Sequence, residues 1–189
     1  MRPPFFMLKS DMDYLDFWQQ KGTKFITPSD KENPEGFDVQ EVLNMLIKGK
    51  LCEVGCGTGR IAKGFIDYVG VDINPKALEI AREKYPHKDF RLTDLEEPYP
   101  EAGTTLFYTV CLHIPDDLIE SQLKRVRSDR IIIAEIMDRS YRKNEEGYTW
   151  ANNRDIEDYN KILGTPKTVV NIPYEHYKDT NITFAVYDV

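Results

Sequence analysis

The stretch Lys50-Leu51-Cys52-Glu53-Val54-Gly55-Cys56-Gly57-Thr58-Gly59-Arg60 constrains this chain more than any other. A short apolar strand runs straight into three glycines at alternate positions, and Ile61-Ala62-Lys63-Gly64-Phe65-Ile66 follows with residues that can start a helix. Glycines at such a corner admit positive φ and let a ligand come up to the main chain where a Cβ would collide. The spacing is G-x-G-x-G, whereas dinucleotide sites use G-x-G-x-x-G and seat a pyrophosphate on a helix N-terminus. Glu53, two residues before the first glycine, would repel a pyrophosphate but accept a hydrogen bond from an ammonium group. The corner therefore predicts a ligand with a cationic end. A second apolar strand, Asp67-Tyr68-Val69-Gly70-Val71, closes in Asp72, seventeen residues after Gly55. An acid at that place in a doubly wound sheet holds ribose hydroxyls.

A strand followed by E-x-G-x-G-x-G resembles motif I of the class I S-adenosylmethionine-dependent methyltransferases. The resemblance implies S-adenosylmethionine as cofactor and S-adenosylhomocysteine as product. It also implies cofactor-binding roles for Glu53, Gly55, Cys56, Gly57, Thr58, Gly59, Asp72 and Ile73. Phe90-Arg91-Leu92-Thr93-Asp94-Leu95 reads as a third strand; the resemblance gives Asp94 the adenine amino group and Leu95 the face of the ring. Thr104 to Leu112 is a nearly continuous apolar run, as expected of a strand buried on both faces. The following His113-Ile114-Pro115-Asp116-Asp117 resembles the end of motif IV, which implies that Val110, Cys111 and His113 lie beside the cofactor and its methyl group.

The rest of the chain fills in an alternating order. Pro75 opens a helix that Pro86 ends, Asp117 to Val126 carries helical apolar spacing, and Arg130 to Glu135 is a fifth strand. Asp155 to Leu163 reads as a helix stopped by Gly164 and Pro166, and residues 167–172 and 182–187 as an antiparallel hairpin. The expected fold is α/β: a Rossmann-like, doubly wound, mostly parallel sheet of seven strands with the last antiparallel, in three α/β/α layers. Residues 1–189 are expected to form one methyltransferase domain, with a core over 38–189. Residues 11–21 read as an amphipathic helix and 23–36 as a loop or lid, and by position this segment resembles the cap that small members of the family close over cofactor and substrate. Tyr14 and Trp18 are its candidate substrate contacts, although packing onto the sheet explains them equally well.

Composition excludes several functions. With 25 basic against 32 acidic residues the net charge is −7, so the chain lacks the basic footprint of a nucleic-acid binder, and DNA is not expected as a partner. No apolar run approaches the roughly 20 residues of a membrane span, and the start is too short for a signal sequence, so a cytoplasmic protein is expected. Cys52, Cys56 and Cys111 read as reduced, small apolar fillers, with no metal role expected. Asn171-Ile172-Pro173-Tyr174 is similar to the N-P-P-Y signature of amine and amide methylation, but its second residue and its position after the fourth strand both fail to match.

Methyl transfer from a sulfonium already has a good leaving group, so positioning dominates and a base is needed only where the acceptor must lose a proton. His113 is the candidate base, because an imidazole with a pKa of about 6.5 accepts a proton at neutral pH. Glu135, Asp116 and Arg139 are second-line substrate contacts. The expected activity is methylation of a small molecule (a sugar, an acid or an amine) on oxygen or nitrogen. The alternatives are a catalytically silent S-adenosylmethionine-binding regulatory or scaffold protein, and a protein or RNA methyltransferase. The sequence leaves the acceptor and the oligomeric state open.

Overall fold

The structure, a computed structural model, describes residues 16–21, 36–94, 96–141, 152–174 and 179–189. Tyr14, Leu95 and most of the expected N-terminal helix and lid lie outside the described residues, as do residues 142–149 of the polar run 136–149, which the sequence reads as the rim of the substrate opening.

Seven strands form one sheet: β1 (Leu51–Val54), β2 (Tyr68–Asp72), β3 (Asp89–Leu92), β4 (Thr104–Tyr108), β5 (Arg130–Glu135), β6 (Thr168–Pro173) and β7 (Asn181–Asp188). Their spatial order is β3-β2-β1-β4-β5-β7-β6. The pairs from β3 through β5 are parallel, and β7 runs antiparallel between β5 and β6. The order reverses between β1 and β4, so the carboxyl ends of those strands open a crevice, which is where open α/β sheets bind ligands.

Strand residues alternate between two cores. Leu51, Leu106, Ile132 and Phe184 point to one face, where helices α1 (Val39–Leu46) and α2 (Pro75–Lys84) pack. Cys52, Phe107, Ile133 and Ala185 point to the other, against α3 (Ile119–Lys124) and α4 (Ile156–Leu163). β1, β2, β4 and β5 are buried along their whole length, which is why their sequences read as unbroken apolar runs. Helix starts are locally encoded. Asp38 accepts the Gln40 and Glu41 amides, and Asn74 accepts the Ala77 amide just ahead of Pro75.

Three expectations are corrected. Ile61 to Ile66 does not begin an α-helix but makes a single 3-10 turn, Ala62–Gly64. Only eight residues separate Gly59 from Tyr68, and α1 occupies the space beside the turn, since a Cβ on Gly64 would lie 1.8 Å from the Gln40 Oε1. The fourth strand stops at Tyr108 and not at Leu112: Thr109 adopts φ 52°, and Cys111–His113 forms a second 3-10 turn. At the N-terminus the described Phe17–Lys21 is a π-type turn, not a regular amphipathic α-helix.

Candidate active site

The glycine corner is built by hydrogen bonds to the next strand. The Gly55 and Cys56 amides both donate to the Val71 carbonyl, at 2.8 and 3.1 Å, and the Gly57 amide donates to the Asp72 carboxylate at 2.7 Å. Gly55, Gly57 and Gly59 all have positive φ, at 71°, 52° and 80°. A Cβ on Gly55 would stand 2.4 Å from the Val110 Cγ2, so glycine is required there for packing as well as for conformation.

Above this corner lies a cavity of about 260 Å³ at the carboxyl ends of the strands. Of the expected cofactor residues, Glu53, Gly55, Cys56, Gly57, Asp72, Ile73, Asp94 and Val110 line it. Trp18 and His113 line it too, and their rings meet at 4.6 Å. The Trp18 carbonyl accepts the Asn74 side-chain amide at 2.6 Å, which ties the N-terminal segment to the end of β2.

The carboxylates differ in setting. Glu53 is buried, accepts the Tyr68 hydroxyl and is pushed up to about 7 by burial; Tyr68 and Arg60 oppose that rise. Asp72 is also raised by burial, countered by the backbone amides of Asn74, Gly57 and Ile73. Its oxygens accept Gly57 and Asn74, one each, which leaves further lone pairs for a ligand. Asp94 is exposed and held below the usual carboxylate range by the Glu97 and Glu96 amides.

Other expected site residues stand outside the cavity wall. Thr58 and Gly59 belong to the turn behind it; Gly59 backs onto Tyr85 and Phe90. Cys111 is fully buried in the α3/α4 core, because the 3-10 turn rotates it away from the crevice. Glu135 does not line the cavity: its two oxygens accept the Tyr159 hydroxyl and, at 2.8 Å, the Leu112 amide, beneath the turn that carries His113. Asp116 pairs with Arg154 at 2.6 Å, and Arg139 pairs with Asp155 and Asp158 at the start of α4. Cys52, Cys56 and Cys111 are buried thiols whose ionisation burial suppresses.

Sequence reasoning missed several wall and support residues. Arg60 sits 4.9 Å over the Tyr108 ring, and both line the cavity with Tyr174 and Ile182, beside Ile136 and Tyr141 of the run 136–149 read as the substrate rim. Its place directly after Gly59 was a usable signal. Arg154 donates to the Cys111 and Ile114 carbonyls at 2.8 and 2.7 Å and so fixes the His113 turn from 40 residues away, a contact that nothing local announces. Gln122 turns its amide oxygen to Tyr99 and Arg125, at 2.8 and 2.5 Å, at the β3 end of the cavity. Among the described residues no cluster of His, Cys, Asp and Glu suits a metal ion, and no helix is long and apolar enough to cross a membrane.

Residues 51–128 match the family model described as a methyltransferase domain. The fold is similar to that of magnesium protoporphyrin IX methyltransferase from Synechocystis PCC 6803 with bound S-adenosylhomocysteine: 15% identity, TM-score 0.71, covering 95% of this chain and 100% of that one. It is also similar to an S-adenosylmethionine-dependent methyltransferase from Thermotoga maritima described as a possible histamine N-methyltransferase, at 19% identity, TM-score 0.60, and 79% and 87% coverage. The methyltransferase domain of bacterial CtHen1-C matches at 14% identity, TM-score 0.62, and 80% and 94% coverage. No curated protein matches the sequence.

Proposed function

We propose that this chain is a class I S-adenosylmethionine-dependent methyltransferase that transfers the methyl group to a small-molecule acceptor with an oxygen or nitrogen nucleophile. The observation that carries this reading is the convergence of Glu53, the glycine corner, Asp72 and His113 on one cavity. Similarity to enzymes described as acting on a protoporphyrin and, in one case, possibly on histamine supports a small acceptor.

The lining chemistry fits the cofactor. Glu53 would take its α-ammonium, with Arg60 beside it to take the α-carboxylate, an assignment the sequence alone did not suggest. Asp72 has the lone pairs for the ribose hydroxyls, and Asp94 an exposed carboxylate for the adenine amino group. The bare backbone at Gly55 and Gly57 leaves room for close approach. When bound, the cofactor supplies an activated methyl group on a good leaving group. The residues of the chain then align donor and acceptor, an effect that can amount to about 7–11 kcal/mol. His113 would take the proton from an acceptor that must lose one.

The test is incubation with methyl-labelled S-adenosylmethionine and, in parallel, a low-mass metabolite fraction, bulk protein and bulk RNA. Label entering the low-mass fraction, and lost with Asp72→Ala, is the expected result. Label entering only protein or RNA would overturn the small-molecule reading.

A further inference from the structure

The cavity changes character along the sheet. Over β3, β2 and β1 its wall carries Asp94, Asp72 and Glu53. On the other side, Tyr108 closes β4, Ile136 follows β5, Ile182 lies at the start of β7 and Tyr174 follows β6. The registers Glu135↔Thr183 and Pro173↔Asn181 bring those positions to one rim of the sheet. Tyr141 completes this wall from a flanking segment, and Trp18 borders it between Asn74, after β2, and His113, after β4. Among the described lining residues, this half contains no carboxylate and no side-chain amide; its polar groups are tyrosine hydroxyls, Thr109, Arg60 and His113, with the Trp18 indole N–H at its border.

That composition discriminates between acceptor classes. A sugar would lay hydroxyls against Ile136, Ile182 and the ring faces of this wall, where each one left without a hydrogen bond costs about 1–3 kcal/mol. An alkylammonium would find no carboxylate to pair with among the described residues of this half, and the Arg60 guanidinium already lies over the Tyr108 face that could have received a cation. A flat ring gains from aromatic and branched walls without either cost.

We infer that the acceptor is a neutral or weakly acidic aromatic or heteroaromatic small molecule, bound by its ring against Tyr141, Tyr174 and Trp18 with its hydroxyl or ring nitrogen toward His113. This deepens the methyltransferase reading and rests on it. In the transfer, His113 takes the O–H or N–H proton while the freed lone pair on the acceptor atom bonds to the methyl carbon. The carbon–sulfur bond breaks and its electron pair stays on sulfur. The products are the methylated ring, the thioether and a protonated imidazole that returns its proton to solvent.

The experiment is calorimetric titration of the S-adenosylhomocysteine-saturated protein with p-cresol and with its saturated counterpart, 4-methylcyclohexanol. It is repeated on Tyr174→Phe, which keeps the ring, and Tyr174→Ala, which removes it. The proposal expects p-cresol to bind at least about tenfold tighter than the saturated alcohol, a difference of about 1.4 kcal/mol. It expects Tyr174→Phe to retain that binding and Tyr174→Ala to lose most of it, with S-adenosylhomocysteine affinity unchanged in both. Equal binding of the two alcohols, no p-cresol binding to the loaded protein, or indifference to Tyr174→Ala overturns it. Failure to bind S-adenosylhomocysteine at all is a separate result that overturns the underlying methyltransferase reading, and this inference with it.

Discussion

The Tyr68 hydroxyl donates a hydrogen bond to Glu53 across the residue that pairs with Glu53 in the sheet, Gly70. Tyr68 and Gly70 share a face of β2, and the missing side chain at Gly70 is the space through which the phenol reaches the carboxylate: a Cβ there would lie 2.7 Å from the Tyr68 oxygen and 2.8 Å from the Cys56 Sγ. The glutamate of the glycine corner is thus oriented by a tyrosine from the neighbouring strand.

Gly70→Ala should therefore destabilise the fold by about 1–3 kcal/mol through overpacking. A drop in the urea midpoint at unchanged slope checks it. Tyr68→Phe removes only the hydroxyl. It should cost about 1–3 kcal/mol through the lost bond to a buried carboxylate and weaken S-adenosylhomocysteine binding by leaving Glu53 harder to ionise.

Proton linkage gives a second prediction. Glu53 and Glu135 titrate at about 7 in the folded protein, against 4.5 for an ordinary glutamate, burial being the main cause in both. Folded protein holds these protons more tightly than unfolded chain. Their contribution to stability is therefore fully present below pH 4.5 and is lost as pH rises through about 7, to the extent of roughly 3 kcal/mol for each group. Chemical denaturation between about pH 4.5 and 8 should show that decline. An ammonium beside Glu53 favours its ionised form, so S-adenosylhomocysteine should release a proton on binding near pH 6.5 and bind more tightly as pH rises toward about 7.5. Calorimetry in buffers of different ionisation enthalpy reads the proton directly.

The sheet was legible because its strands are buried on both faces and punctuated by glycine or an acid: β1, β2, β4 and β5 read as apolar runs, and the last two strands as a β-branched hairpin. Glu53, Asp72 and Asp94 could be placed on the cavity because each lies within two residues of the carboxyl end of a parallel strand. What misled was local pattern read past a tertiary stop. Val110 to Leu112 look like strand, but the Leu112 amide bonds to Glu135 and the Cys111 carbonyl to Arg154, which favours a turn. Glu135 looked like a site acid by its position, yet its two donors turn it into the support of the His113 turn. Arg60 was passed over because a charged residue in a loop carries no periodic signal, and Tyr174 was weighed only within a signature whose second residue and position fail to match.

The Arg154 contacts predict a third result. Arg154→Met leaves the Ile114 carbonyl without its donor, at about 1–3 kcal/mol, and strips the Cys111 carbonyl of its side-chain donor while the Ile114 amide still reaches it. The melting temperature should fall. Trp18 emission, which senses the His113 ring at 4.6 Å, should shift in a Trp150→Phe background. Arg154→Lys should recover only part of both effects, since it cannot span two carbonyls with one planar fork.

Gly55 and Val110 should couple. Gly55→Ala alone drives a methyl group against the Val110 side chain and puts alanine at φ 71°. Val110→Ala removes the collision but not the backbone strain. The double variant should regain part of the lost stability, with a coupling of about 0.5–3 kcal/mol in a double-mutant cycle; strict additivity would show that the two side chains do not meet.

The most direct measurement is calorimetric titration of the wild type and of Asp72→Ala with S-adenosylhomocysteine. The account predicts binding in the micromolar range to the wild type and at least about tenfold weaker binding, 1.4 kcal/mol or more, to a variant that remains folded. A folded wild type that binds neither S-adenosylhomocysteine nor S-adenosylmethionine, or an Asp72→Ala variant that binds as tightly as the wild type, would contradict it.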